Sequence, residues 1–201
     1  MRRARPPQLV LLDARLRGLD PVGLRHWARQ TGDGAAGFVS RSYCYPFALV
    51  GWHEQPLGVD IERVGPCDDA FAELICTPEE RETLAEATDR DRLLTSLWSS
   101  KEALAKLLGN PLQYRPRDLT SPSGWSEDPV GPLRAAPILL PDGYVGWVCW
   151  RASGTEAPGP RPPVRPQLAR PGWGPHQGVV VESTHRWPSQ RTAAVQLEPS
   201  Q

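Results

Sequence analysis

The sequence predicts an α+β fold, with antiparallel strands packed on helices. Three observations carry this. Strand-like and helix-like segments are mixed, without a regular βαβ repeat. The longest periodic segment, DRDRLLTSLWSSKEALAKLLG, is helical and stops at Gly109. Two late apolar runs, APILL (136–140) and YVGWVCWRA (144–152), flank PDG, a hairpin signal.

The remaining elements follow in chain order. QLVLLDARL predicts a strand and PVGLRHWARQ a short helix. GFVSRSYCYPFALVGW (37–52) predicts two short strands, with Pro46 marking the turn or edge between them. PLGVDIERV predicts a strand whose polar residues alternate at its end, and DDAFAELI a helix. Thr77 is placed as an N-cap, with Pro78 at the first helical position and Glu79 and Glu80 in the first turn, where they complement the helix dipole. From about Ala152 the chain becomes dense in Pro, Gly and Arg and loses its hydrophobic period. Such a segment buries too little apolar surface to offset its ordering entropy. The folded part is therefore expected over residues 1–153 and a disordered tail over 154–201, with a weak strand near VVVE (179–182).

Composition narrows the function. The 201 residues carry 23 basic and 23 acidic side chains, which argues against a protein that coats nucleic acid or a polybasic membrane binder. Cys44, Cys67, Cys76 and Cys149 form no CxxC pair, and the histidines show no ligand spacing, so a zinc site is not expected. Scattered cysteines suit a reducing compartment. The apolar run QLVLL is too short for a signal-peptide core, and no run approaches a membrane span, so a cytoplasmic protein is expected.

Acids and lysines carry the chemistry. In GVDIE, Asp60 and Glu62 stand at i and i+2, on one face of a strand. Like charges side by side repel unless a cation lies between them, and hard cations such as Mg²⁺ take carboxylate oxygens. Alone, the pair also suits a solvated strand edge. On the long helix, Leu94, Leu97, Trp98, Leu104, Ala105 and Leu108 share one arc. Lys101 falls near its middle, and Glu102 and Lys106 lie at its margin, one turn apart. Glu102 and Lys106 match an ordinary surface ion pair, and Lys101 a snorkelling lysine. Taken together, Asp60, Glu62 and Glu102 are a donor set for Mg²⁺ flanked by two lysines, which suits a pyrophosphate.

GVDIE followed by WSSKEALAK resembles the paired signature of the 4'-phosphopantetheinyl transferases, G-[VI]-D-x-E and W-x-x-K-E-[AS]-x-x-K. FAELICTPEE resembles the intervening segment of that family, and the likeness is close over about residues 35–110. The position of Asp60 in the chain suggests the pseudo-dimeric, surfactin-synthetase-activating type, with a shortened N-terminal half (1–55) and a catalytic half (56–153). The resemblance implies transfer of the phosphopantetheine arm of coenzyme A to a serine of an apo acyl or peptidyl carrier protein, releasing 3',5'-ADP. It implies Asp60, Glu62 and Glu102 as Mg²⁺ ligands and Glu102 as general base. Lys101 and Lys106 would contact phosphates, Lys106 stabilising the transition state, and Trp98 would pack the helix. Neither nucleic acid nor membrane is an expected partner, and a monomer is expected, because both halves lie in one chain.

The likeness departs from the family at N-x-S-H-S, whose serine and histidine touch the coenzyme A phosphates. Here the stretch is FVSRS, which keeps Ser40 and Ser42 and puts Arg41 at the histidine position. Ser40 and Arg41 are taken as candidate contacts to coenzyme A, arginine being a good phosphate ligand. The family's K-P motif is absent, and Arg15, Arg17, Arg25 and Arg29 are the candidates to replace it. Two alternatives are weighed. One is a catalytically degenerate relative that binds carrier protein or coenzyme A. The other is a different Mg²⁺-dependent phosphoryl enzyme such as a nuclease, which the balanced charge disfavours.

Overall fold

A computed structural model describes residues 6–109, 111–123, 132–152, 164 and 166–168. β1 (Gln8–Asp13), β2 (Phe38–Cys44), β3 (Phe47–His53) and the short β7 (Gln167–Leu168) form one sheet in the order β2-β3-β1-β7. β4 (Leu57–Arg63), β5 (Leu133–Pro137) and β6 (Tyr144–Arg151) form a second, in the order β4-β6-β5. All pairs are antiparallel except β1 with β7.

Strand alternation sets the layers. Leu9 and Leu11 of β1 join Leu49, Val59, Ile61, Val148 and Trp150 in a core shared by both sheets. Val10 and Leu12 point the other way, to Leu24, Trp27 and Ala28 of helix α1 (Pro21–Gln30). β1 is therefore buried on both faces, which is why it reads as a near-continuous apolar run. Asp13 ends it by accepting from the Arg15 amide (3.0 Å). A 3-10 turn (Ala14–Arg17) follows, closed by Gly18 in the left-handed region (φ 60°).

Three helices cover the second sheet and its flank: α2 (Asp69–Ile75), α3 (Pro78–Ala85) and α4 (Arg90–Leu108). The start of α3 is as expected from the sequence. Thr77 Oγ1 accepts from the Glu80 amide, and Glu80 returns the bond to the Thr77 amide, a complete capping box. α4 is capped by Asp89 and stopped by Gly109 at φ 81°.

Three expectations are corrected. The first late strand lies at Leu133–Pro137, not 136–140. Past Pro137 one bond to β6 remains, from the Ile138 amide to the Gly146 carbonyl (2.8 Å), and the Leu139 amide then bonds the Val164 carbonyl (2.8 Å). In the last turn of α4 it is Leu107 that is buried, while Leu108 is 51% exposed. Disorder from residue 154 fails at two points: Val164 bridges Ile138, and Gln167–Leu168 pair with Val10–Leu11. A sheet edge offers backbone bonds to any sequence, so this pairing needs no hydrophobic period. The expected strand at 179–182 lies outside the described residues. Among the described residues, no helix is long and apolar enough to cross a membrane.

Candidate active site

The edge strand of the first sheet, β2, lies against the edge strand of the second, β4. Side chains stitch this seam. The Val59 amide donates to Ser40 Oγ (3.1 Å), and Ser42 Oγ donates to Asp60 Oδ1 (2.8 Å). On β4, Val59 and Ile61 enter the shared core, so Gly58, Asp60 and Glu62 must face the other way. That face meets α4. Gly58 is required there, because a Cβ would sit 2.0 Å from the Ala103 carbonyl and 2.7 Å from the Leu107 amide.

Trp98, Glu102 and Lys106 stand at i, i+4 and i+8, one ridge of α4. Lys106 Nζ donates to Asp60 Oδ1 (2.7 Å) and to the Val59 carbonyl (3.1 Å). Trp98 Nε1 donates to Glu62 Oε1 (3.2 Å), and its ring packs edge-on against Phe71. Tyr114, from the segment after α4, donates its hydroxyl to Glu102 Oε1 (2.6 Å).

Asp60 is 2% exposed, and its Oδ2 has no hydrogen-bond partner. Burial first, and then the charge of Asp60, push Glu62 up to about 7. Burial also raises Glu102; the Tyr114 hydrogen bond opposes that rise and the charge of Asp60 adds to it. The three carboxylates thus repel one another in a space that holds one partly exposed ammonium. Among the described residues, no three Asp, Glu, His or Cys side chains converge closely enough to ligate an ion as they stand. Their chemistry nevertheless fits a hard cation: oxygen donors, a buried carboxylate oxygen with no partner, and uncompensated negative charge.

Two residues expected to touch phosphate are placed elsewhere. Lys101 is fully buried, and its ammonium donates to Glu80 Oε2 (2.5 Å), the Ile75 carbonyl (2.7 Å) and the Pro116 carbonyl (3.0 Å). It points into the junction of α2, α3 and the 111–123 segment, with all three protons engaged. Strand alternation sets the direction of Arg41: Ser40 and Ser42 face β4, so Arg41 faces α1. Its guanidinium caps that helix through the carbonyls of Ala28 (2.8 Å), Arg29 (3.0 Å) and Thr31 (3.2 Å). Arg41→Ala is expected to cost about 1–3 kcal/mol in urea denaturation, with coenzyme A affinity by titration calorimetry changed less than twofold. Intact stability with lost affinity would refute this placement. Of the other arginines, Arg15 pairs with Asp13, Arg17 stacks over Trp27, and Arg25 lies over the Tyr43 ring.

Sequence reasoning missed three contributors. Ser42 was within reach, because it shares a strand face with Ser40. Trp98 was placed as packing only, and its bond to Glu62 is a long-range pairing. Tyr114 sits in a proline-punctuated segment with no periodic signal.

Fold and site together define an α+β chain with a face of acids and one lysine between an edge strand and a helix. Residues 56–139, the stretch that carries Asp60, Glu62, Glu102 and Lys106, match the family model described as the 4'-phosphopantetheinyl transferase superfamily. Among curated proteins, the 4'-phosphopantetheinyl transferase psf-1 of Bacillus pumilus is 35% identical over 91 residues, which cover 44% of this chain and 36% of that protein. The match thus spans little more than a third of the relative's length.

Proposed function

We propose that the protein transfers the 4'-phosphopantetheine arm of coenzyme A to a serine of an apo acyl or peptidyl carrier protein. The observation that carries the reading is the face shared by Asp60, Glu62, Glu102 and Lys106, within the segment that matches the superfamily. Asp60, Glu62 and Glu102 would hold Mg²⁺. When bound, the ion would neutralise charge that develops on the pyrophosphate. Glu102, raised by burial, is suited to take the proton of the carrier serine hydroxyl. The serine oxygen would then form a bond to the β-phosphorus of coenzyme A. The bond from that phosphorus to its bridging oxygen would break, and 3',5'-ADP would leave. Lys106 is partly exposed and already at Asp60, where it can stabilise the phosphoryl oxygens. The seam of Ser40 and Ser42 between the two sheets supports reading them as two halves of a pseudo-dimer, acting as a monomer.

The test is intact-mass spectrometry of an apo carrier protein incubated with this protein, coenzyme A and Mg²⁺. The expected result is a gain of one phosphopantetheine, with Glu102→Gln slower by about 10²–10⁴-fold. One observation favours the second reading, a relative that binds without catalysis: Lys101 and Arg41 are both already bonded to the protein's own backbone carbonyls. Coenzyme A binding with no mass gain on several carriers would select it.

A further inference from the structure

We propose that Tyr114 is a positioning residue for Glu102, and that Lys101 acts on Glu102 through it. The inference rests on the reading of Glu102 as a working carboxylate. Tyr114 is half-buried, and its hydroxyl is 2.6 Å from Glu102 Oε1, a short bond to a charged acceptor. That bond fixes the carboxylate plane and leaves Oε2 for chemistry.

The segment that carries Tyr114 is pinned to the same helix. Two residues on, the Pro116 carbonyl accepts from Lys101, the neighbour of Glu102 in the chain. Further along, the Ser121 amide donates to Glu80 Oε1 (2.7 Å), and the Ser121 and Ser100 hydroxyls pair (2.7 Å). Adjacent residues of α4 therefore hold the backbone and the side chain of one short segment. The buried Lys101–Glu80 pair sets where Pro116 lies, and so where the Tyr114 hydroxyl meets Glu102. Glu102 is held from outside its own helix, as side chains that support metal-ligating carboxylates are.

The experiment compares wild type, Tyr114→Phe, Glu102→Gln and the double variant, with Leu112→Ala as a control. Leu112 lies in the same segment and is 95% exposed. Two readouts are taken: steady-state transfer, and Mn²⁺ binding to the free protein by electron paramagnetic resonance. Tyr114→Phe is expected to lower kcat about tenfold, with KM for coenzyme A within twofold, and to weaken Mn²⁺ about tenfold. In the Glu102→Gln background it should add less than twofold to either, and Leu112→Ala should change neither. Equal losses with and without Glu102, or the same losses from Leu112→Ala, would overturn the proposal, because a merely loosened segment would produce both. Wild type that binds Mn²⁺ but transfers nothing would sink the transferase reading. The Glu102-dependent Mn²⁺ effect of Tyr114→Phe would then still carry the inference. Wild type that does neither would overturn both.

Discussion

Lys101→Met is expected to destabilise the protein by about 3–5 kcal/mol, the cost of removing one partner of a buried ion pair. Methionine matches the stem of lysine and leaves little cavity, so the loss is that of the charge. Three acceptors lose their donor at once: Glu80 Oε2, the last carbonyl of α2 at Ile75, and Pro116. Glu80 fares worst. Its side chain is 11% exposed, and among the described residues it keeps the Thr77 and Ser121 amides. Adding Glu80→Gln should recover about 0.5–3 kcal/mol, since the two sites are in contact and their effects cannot be additive. Urea denaturation followed by tryptophan fluorescence measures all three variants. A loss below about 1 kcal/mol for Lys101→Met would mean that the pair is not the buried junction described here. The same variant separates structure from resemblance. A phosphate-binding lysine would lose coenzyme A affinity in a protein that stays fully folded. A junction lysine would lose stability first.

Lys101 also shows where the sequence was legible and where it was not. Its place at the centre of an apolar arc already said that it faces inward. The likeness to a family signature implies a phosphate contact instead. The missing fact was its partner. Glu80 reads locally as a first-turn acid and as half of a capping box, and both are true. That its carboxylate also reaches across to α4 is a long-range pairing that no local pattern encodes. Arg41 is the reverse case. The rule that puts Asp60 and Glu62 on one face also separates Arg41 from Ser40 and Ser42, so its direction was readable from period alone. The element order, the Thr77 cap of α3 and the Gly109 stop were legible because each is decided within a few residues. The pairing of Gln167–Leu168 with β1 was not, because an added edge strand is chosen by backbone bonds more than by side chains. Tyr114 was not legible either: in a turn-rich segment, direction is set by what the segment docks against.

Gly58→Ala is expected to produce the largest local displacement of any single methyl group in the site. The added carbon would stand 2.0 Å from the Ala103 carbonyl oxygen, 2.7 Å from the Leu107 amide and 2.9 Å from Lys106 Cβ. The first two are helix backbone, so no rotamer change relieves the contact; α4 must move off β4 or the strand must bend. Ordinary overpacking costs about 1–3 kcal/mol, and this case belongs at or above the top of that range. The consequence for chemistry is larger. Lys106 and Glu102 ride on α4, while Asp60 and Glu62 ride on β4, so the four charged groups keep their geometry only while helix and strand touch. A shift of about 1 Å is enough to lower a rate of transfer about 10²-fold. The loss should appear in kcat at temperatures where circular dichroism shows the variant fully folded. Gly65→Ala is the control, because a Cβ there meets nothing within 4 Å and the backbone is not left-handed. It should stay within about 0.5 kcal/mol of wild type. If Gly58→Ala transferred as fast as Gly65→Ala, the close approach of α4 to β4 could not be what assembles the site. The glycine that opens the GVDIE motif would then need another explanation. If it is the slower by two orders, that glycine belongs to the chemistry as much as the acids do, because it lets the helix lie close enough to bring Glu102 and Lys106 to them.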